Sequence, residues 1–391
     1  SQERMKHVFS LLILCGIFMK KSMLLVGAFL AVAAMAQAKE VVPAPVVVEE
    51  APVQIVEKEV IVYRDKEEGF RPNGYVDLQY RYYGDTEGNG TNYSFKPADN
   101  RADGWNTNNN YSRIQFQGNI NMTEKQNLEW RIRGYNSLDE NDKSNPTAKD
   151  NGTETRLRYF YDHGYLGDSK VDLTSRVHYQ NNADDAYQNV EYQARFDFAD
   201  YMFNNDMFKT DYFVVAPKVG YTWSDDNSSD YSNQVGFDVY TWHTLPWGFS
   251  TEFNLYFTQN FYGQDQAFNN GNDMEDKNFT IDMEFYIYNT TNLYTNGNFS
   301  LDFGFEGGYD PYTWSQEKKF GSADGDNLGT DDSKYSLYAL PYLQANYAVT
   351  ENMTVYAAAG AEYRDWTVDN GHSASNWRWQ PTAWAGFKTT F

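Results

Sequence analysis

From Gly74 to the last residue, apolar and polar side chains alternate again and again in runs of roughly eight to twelve positions. Successive side chains of a strand point to opposite faces, so this period describes strands with one apolar surface and one polar surface. Val76, Leu78, Tyr80 and Tyr82 form one such face, and Asp77, Gln79 and Arg81 the other. Ile114, Phe116, Gly118, Ile120 and Met122 stand likewise against Arg113, Gln115, Gln117, Asn119 and Asn121. The pattern returns in Leu128/Trp130/Ile132 against Glu129/Arg131/Arg133 and in Leu157/Tyr159/Tyr161 against Arg156/Arg158. Val171, Leu173, Val177 and Tyr179 then face away from Asp172, Arg176 and His178. Further runs cover 190–198, 208–223, 232–242, 249–258, 279–288, 299–309, 335–347, 353–364 and 377–391, giving about fourteen strands in all.

The connections alternate in step with the strands. Residues 86–110, 136–152, 260–276 and 310–333 are long, acidic and rich in Asn, Asp and Gly, whereas 123–126, 163–169, 243–248 and 350–352 are short. Long loops at one end and tight turns at the other are the signature of a membrane barrel. In lipid an open sheet edge leaves backbone N–H and C=O groups unpaired, so spanning strands must close into a ring. The expected fold is therefore all-β, a transmembrane antiparallel β-barrel of about fourteen strands over residues 73–391. An even strand number places both mature ends on one side, the periplasm. Tyr82, Trp130, Tyr161, Trp242, Tyr309 and Trp377, near strand ends, suit the headgroup depth.

The amino-terminal part reads differently. Residues 19–38 carry Lys20 and Lys21, then an apolar run, then a small-residue ending at Ala38, which describes a secretory signal starting at Met19 and preceded by an extension, 1–18. The competing reading is one uncleaved apolar anchor over 8–36, which Lys20 and Lys21 interrupt. Residues 39–72, rich in Val, Glu and Pro, form an extended periplasmic segment. Within it 53–63 reads as a spacer, with a peptidoglycan contact or a self-associating helix as the alternatives.

Composition removes several function classes. Lys and Arg number 32 against 54 Asp and Glu, a formal net charge of -22, and such a chain repels nucleic-acid phosphates. Cys15 is the only cysteine, so residues 39–391 form no disulfide framework or thiolate metal cluster. No cofactor is expected. The segment 323–332 is acidic and Gly-rich but lacks the spacing of a calcium-hand loop. Of the histidines past the signal, His163 and His243 fall in expected turns and His178 faces the interior beside Arg176. His372 lies in an expected outer loop near Asp369 and Ser373, where a surface hydrolase would hold one, yet no Gly-x-Ser-x-Gly or His-Glu-x-x-His motif accompanies it. The chain is not expected to be an enzyme.

With the apolar faces in lipid, the intervening residues line a lumen that must hold water. Its expected basic side comprises Arg81, Arg113, Arg131, Arg133, Arg156, Arg158, Arg176 and Arg195 from the first six strands, with Arg364, Arg378 and Lys388 from the last two. Asp238, Glu252, Asp282, Glu284, Asp302 and Glu306 form the expected acidic side. Opposed charges across a narrow aqueous section orient dipolar solutes and select small charged ones. Alternatively Asp77, Glu129, Glu154, Asp172, Glu191 and Asp197 neutralise the arginines locally. The longest loops, 86–110 and 310–333, are candidates to fold inward as a constriction. A general diffusion porin is the leading reading; a surface adhesin with little transport, or an outer-membrane hydrolase, are the alternatives.

Residues 38–45 (Ala-Lys-Glu-Val-Val-Pro-Ala-Pro), 55–65 and 71–84 (Arg-Pro-Asn-Gly-Tyr-Val-Asp-Leu-Gln-Tyr-Arg-Tyr-Tyr-Gly) resemble the major outer-membrane porin family of fusobacteria. The terminal Phe391, closing an apolar face of Ala383, Ala385, Phe387 and Thr389, is similar to the insertion signal read by barrel-insertion machinery. The resemblance implies a weakly selective, voltage-sensitive porin among outer-membrane lipid and lipopolysaccharide, forming a homotrimer and also engaged in surface adhesion. For a trimer contact, Tyr335/Leu337/Ala339/Pro341 with Val355/Ala357/Ala359/Ala361 is the outer wall of smallest residues.

Overall fold

Tight connections between alternating segments force antiparallel neighbours, and in the computed structural model each segment pairs with the next. The strands are β1 (Asn73–Tyr83), β2 (Tyr111–Asn121), β3 (Gln126–Ser137), β4 (Gly152–Tyr165), β5 (Asp172–Asn181), β6 (Tyr187–Asp197), β7 (Asn204–Asn205) and β8 (Phe208–Ser224). They continue as β9 (Tyr231–Thr244), β10 (Phe249–Phe268), β11 (Asp273–Asn296), β12 (Phe299–Ser315), β13 (Ser336–Thr350), β14 (Met353–Asp365) and β15 (Trp377–Thr390). The structure describes residues 69–85, 87, 110–138, 152–181, 187–268, 273–317, 336–365 and 377–391. All lie in the second of two units, Ser1–Lys66 and Glu67–Phe391. The signal and nearly all of segment 39–72 lie outside the described residues.

One sheet contains every strand. Its order runs from β6 back to β1, then β15 down to β7, and a further β6–β8 pairing joins the two sides. β7 is only a two-residue hook on β8, with Asn204 opposite Lys209. The ring is therefore closed by fourteen strands, leaving no free edge. First and last strands meet from Tyr75 opposite Thr390 to Tyr83 opposite Thr382. Gly74 and Phe391 exchange backbone hydrogen bonds of 3.1 Å, so the terminal residue lies at that seam.

Turns 122–125, 166–171, 245–248, 297–298 and 351–352 share one end with the start of β1 and the end of β15. The strand ends that flank 84–110, 138–151 and 316–335 lie at the other. Two expectations change. Residues 260–276 are not a long loop, because β10 and β11 stay paired out to Phe268 opposite Asp273. β11 likewise runs on to Asn296, and Gly297 at φ +57° makes the reversal into β12. Alternation marks only strand that has an apolar face, so these polar extensions left no period-two trace.

The prolines fit a ring at the cost of a ladder bond. β6 pairs with β8 through Gln193 opposite Lys218 and resumes at Phe196 opposite Val215, skipping the stretch around Pro217. Pro341 interrupts β13–β14 in the same way, between Ala339–Tyr363 and Tyr342–Gly360.

Contacts between strands that are not neighbours identify the concave face, because side chains diverge on the convex one. Tyr342 on β13 meets Trp384 on β15 at 4.9 Å, across β14. Gln193 on β6 donates to Asp238 on β9, across β8. The opposite parity faces out: Ile114 is 52% exposed, Phe116 39% and Val219 56%, while Ala216 on the inner face of β8 is 0% exposed. The apolar half of each strand thus makes an outer belt, the arrangement that lets a barrel cross lipid.

Candidate functional site

The lumen carries the charged residues. Strand order places β14, β15 and β1 to β6 on one continuous arc and β9 to β12 on the opposite one, with β8 and β13 between. The arginines of the first arc are engaged with the wall. Arg131 donates to Glu154 at 2.7 Å, and Arg133 to Gln115 at 2.7 Å with the same Glu154 at 3.8 Å. Arg176 pairs with Glu191 at 2.8 Å, and Arg364 with Glu362 at 2.5 Å. Arg81 donates to Thr382 and lies 4.6 Å from the rings of both Tyr83 and Trp384. Arg113 reaches Gln79 at 3.4 Å. Arg195 donates to Gln193 at 2.8 Å and stacks over Tyr240 at 4.5 Å. Arg378 lies opposite Arg364 along the backbone, and its side chain is outside the described set.

The acidic arc is held by neutral donors. Glu252 accepts from Tyr288 at 2.9 Å and Asn254 at 2.7 Å, and Glu284 accepts from Tyr256 at 2.6 Å. Tyr338 donates to Glu306. Asp302 accepts from Asn292 and Asn346, each at 2.7 Å, and Asp282 lies opposite Tyr256. Among the described residues no cation forms an ion pair with Glu252, Asp302 or Glu306.

Asp238 departs from the expected acidic side. Lys218 on β8 sits 2.7 Å from it and 3.9 Å from Glu191, joining both to the arginine arc. Gln193 donates to Asp238 at 2.6 Å, as does Tyr240 at 2.9 Å, and Arg176 reaches the Tyr240 hydroxyl at 3.5 Å. Gln193 and Asp238 are almost wholly buried. A buried carboxylate is tolerated only when paired and hydrogen-bonded, and this one has both. Lys218 alternates with Pro217 and Val219, a signal present in the sequence but outweighed by the apolar residues around it.

Aromatic side chains are the lumen's other component. Tyr338, Tyr356 and Trp384 are buried on the inner face. Trp242 also faces inward rather than toward headgroups, opposite Glu252 and stacked on Tyr288 at 5.2 Å. Parity decides this: Asp238, Tyr240 and Trp242 share one face of β9. Glycines give the rings room. A Cβ on Gly304 would strike the ring of Tyr342, and one on Gly386 would strike Tyr356, so these rings lie along the wall. Ring over interior glycine covers backbone that would otherwise be bare.

Histidine chemistry stays sparse. His163 Nε2 lies 2.9 Å from Ser175 Oγ, which contacts Tyr192, and no carboxylate completes that set. Among the described residues no group of three His, Cys, Asp or Glu is placed to hold a metal ion. His372, segment 323–332 and most of loops 86–110 and 310–333 lie outside the described residues.

No family model and no curated protein matches the chain. Among solved structures it is similar to a bacterial polysaccharide outer membrane secretin, with 11% identity, a TM-score of 0.35, and coverage of 81% of this chain and 97% of that one. The outer membrane channel DcaP of Acinetobacter baumannii gives 10% identity and a TM-score of 0.34 over 82% of this chain and 96% of its own. OmpF of Salmonella typhi, in complex with daunomycin, gives 13% identity and a TM-score of 0.33 over 83% of this chain and 98% of its own.

Proposed function

We propose that the chain is a general diffusion porin of the outer membrane, passing small hydrophilic ions and solutes through a water-filled lumen. One observation carries this reading: an edgeless ring of fourteen strands turns its apolar face outward and its charged face inward. An interior of that polarity requires water, and fourteen strands enclose more width than wall side chains fill, by interpolation between packed eight-stranded barrels and sixteen-stranded channels. Arginines on one arc and carboxylates on the other set a transverse field on passing solutes. In this reading residues 19–38 direct export, both mature termini are periplasmic, Phe391 serves the insertion machinery, and segment 39–72 is a periplasmic spacer, with a peptidoglycan contact as its alternative. Membership in the fusobacterial major porin family rests on the quoted motifs.

The small outer residues of β13 and β14, among them Ala357, Ala359 and Ala361, supply the flat wall a homotrimer would use. Long outer loops add an adhesive role beside conduction. Planar-bilayer conductance of the purified chain in salt gradients tests the porin, and solute uptake into liposomes separates it from an adhesin with little transport. Absence of both would discard the reading.

A further inference from the structure

Of the lumen arginines with described side chains, Arg156 and Arg158 alone form no hydrogen bond or ion pair among the described residues. Every other one donates to a carboxylate, an amide or a hydroxyl, as set out above; these two make neither hydrogen bond nor ion pair with any described residue. They sit two apart on β4, on the same inner face, and both side chains remain partly open to the lumen. Their surroundings heighten the electrostatic demand. Arg131 lies directly opposite Arg156, a like-charge cross-strand pair that costs stability. His178 lies opposite Arg158 on the other side, and its Nε2, like the Arg158 Nε, is buried without an acceptor. Glu129 on β3 lies directly opposite Arg158, and its charge acts on Arg156 and Arg158 without a hydrogen bond or ion pair to either. Glu154, two residues before Arg156 on β4, is already shared by Arg131 and Arg133.

We propose that Arg156 and Arg158 form an oxyanion site on the lumen wall, binding small solutes that carry a phosphate or paired carboxylates. Guanidinium forks match such oxygens in a bidentate manner, and a dianion adds to the partial relief that Glu154 and Glu129 give the Arg131–Arg156 repulsion. The site makes passage of these anions saturable, where other ions pass in proportion to concentration. It deepens the porin reading and rests on it. The buried aromatic rings offer no such site, since they face one another rather than open water.

The test uses the full chain in planar bilayers, with chloride current read while inorganic phosphate, pyrophosphate or succinate is added. Saturable block is expected, and R156Q/R158Q raises the half-blocking concentration about tenfold or more, the loss of at least one charge-assisted bond. R156K/R158K, which keeps the charge and loses the fork, falls between. Phosphate against succinate decides which oxyanion the site prefers. Equal block in wild type and R156Q/R158Q, or no saturation, overturns the site while leaving the porin intact. A chain that carries no current overturns the porin. Calorimetry of pyrophosphate binding to the micellar protein then decides the site by itself: heat reduced in R156K/R158K and lost in R156Q/R158Q supports it, and no heat in wild type, or equal heat in all three, overturns it.

Discussion

The two arcs of the lumen differ less in how many charges they carry than in what those charges touch. On the basic arc Glu154 and Glu191 each take two cations, so much of the positive charge is neutralised within the wall. On the acidic arc Glu252 and Glu306 are met by tyrosine and asparagine groups that stabilise the carboxylate without cancelling its charge. A field in the lumen depends on uncancelled charge, and a census of residues does not measure it. Among the described residues, ion pairs within the wall thus gather on the arginine-bearing arc.

The largest expected effect lies where the arcs join. Lys218→Ala strands the buried Asp238 carboxylate and lowers stability by roughly 3–5 kcal/mol, whereas Lys218→Met with Asp238→Leu stays near wild type. Urea unfolding in lipid vesicles reads both; equal loss in the two would mean the pair is not what holds that region.

Selectivity comes next. Neutralising Glu252 and Glu306 to Gln shifts the reversal potential toward anions, since each removes about 1 kcal/mol of close attraction in water, a several-fold change in preference. Neutralising Arg131, Arg133, Arg156 and Arg158 to Gln shifts it the other way, by less per charge removed. A larger shift per charge from the arginine set would reverse the comparison, and an unmoved potential in both would remove the transverse field.

Smaller effects sharpen the contrast between ring and wall. Gly304→Ala drives a methyl into Tyr342, costing about 1–3 kcal/mol and tilting the ring into the lumen, so single-channel conductance falls. Unchanged conductance would show that the ring never bordered the water path. Tyr338→Phe removes one donor from Glu306, costing about 1 kcal/mol, with cation preference retained; its loss would show that the hydroxyl, not the carboxylate, sets the preference.

Much of the fold was legible because lipid imposes a strict period. Ile114, Phe116, Val177 and Val190 read correctly as outward from alternation alone, since hydrocarbon permits no exceptions on that face. Where the constraint is absent, reading failed. The polar ends of β10 and β11 passed for a loop, and Trp242 passed for a headgroup anchor because aromatic character says nothing of which side of the wall a ring occupies. Lys218 escaped notice for a related reason: its partners, Glu191 and Asp238, lie on separate strands to either side of β8.

By itself the order of residues determined the strand spacing, the number of wall strands and which face of each meets an apolar medium, all consequences of a two-residue repeat that acts locally. Only the closed tertiary structure decided which lumen charges cancel, which tyrosines cap carboxylates, and that Arg156 and Arg158 form no hydrogen bond or ion pair among the described residues. Those depend on the register between strands and on curvature that brings non-neighbours together, and neither is written into any single segment.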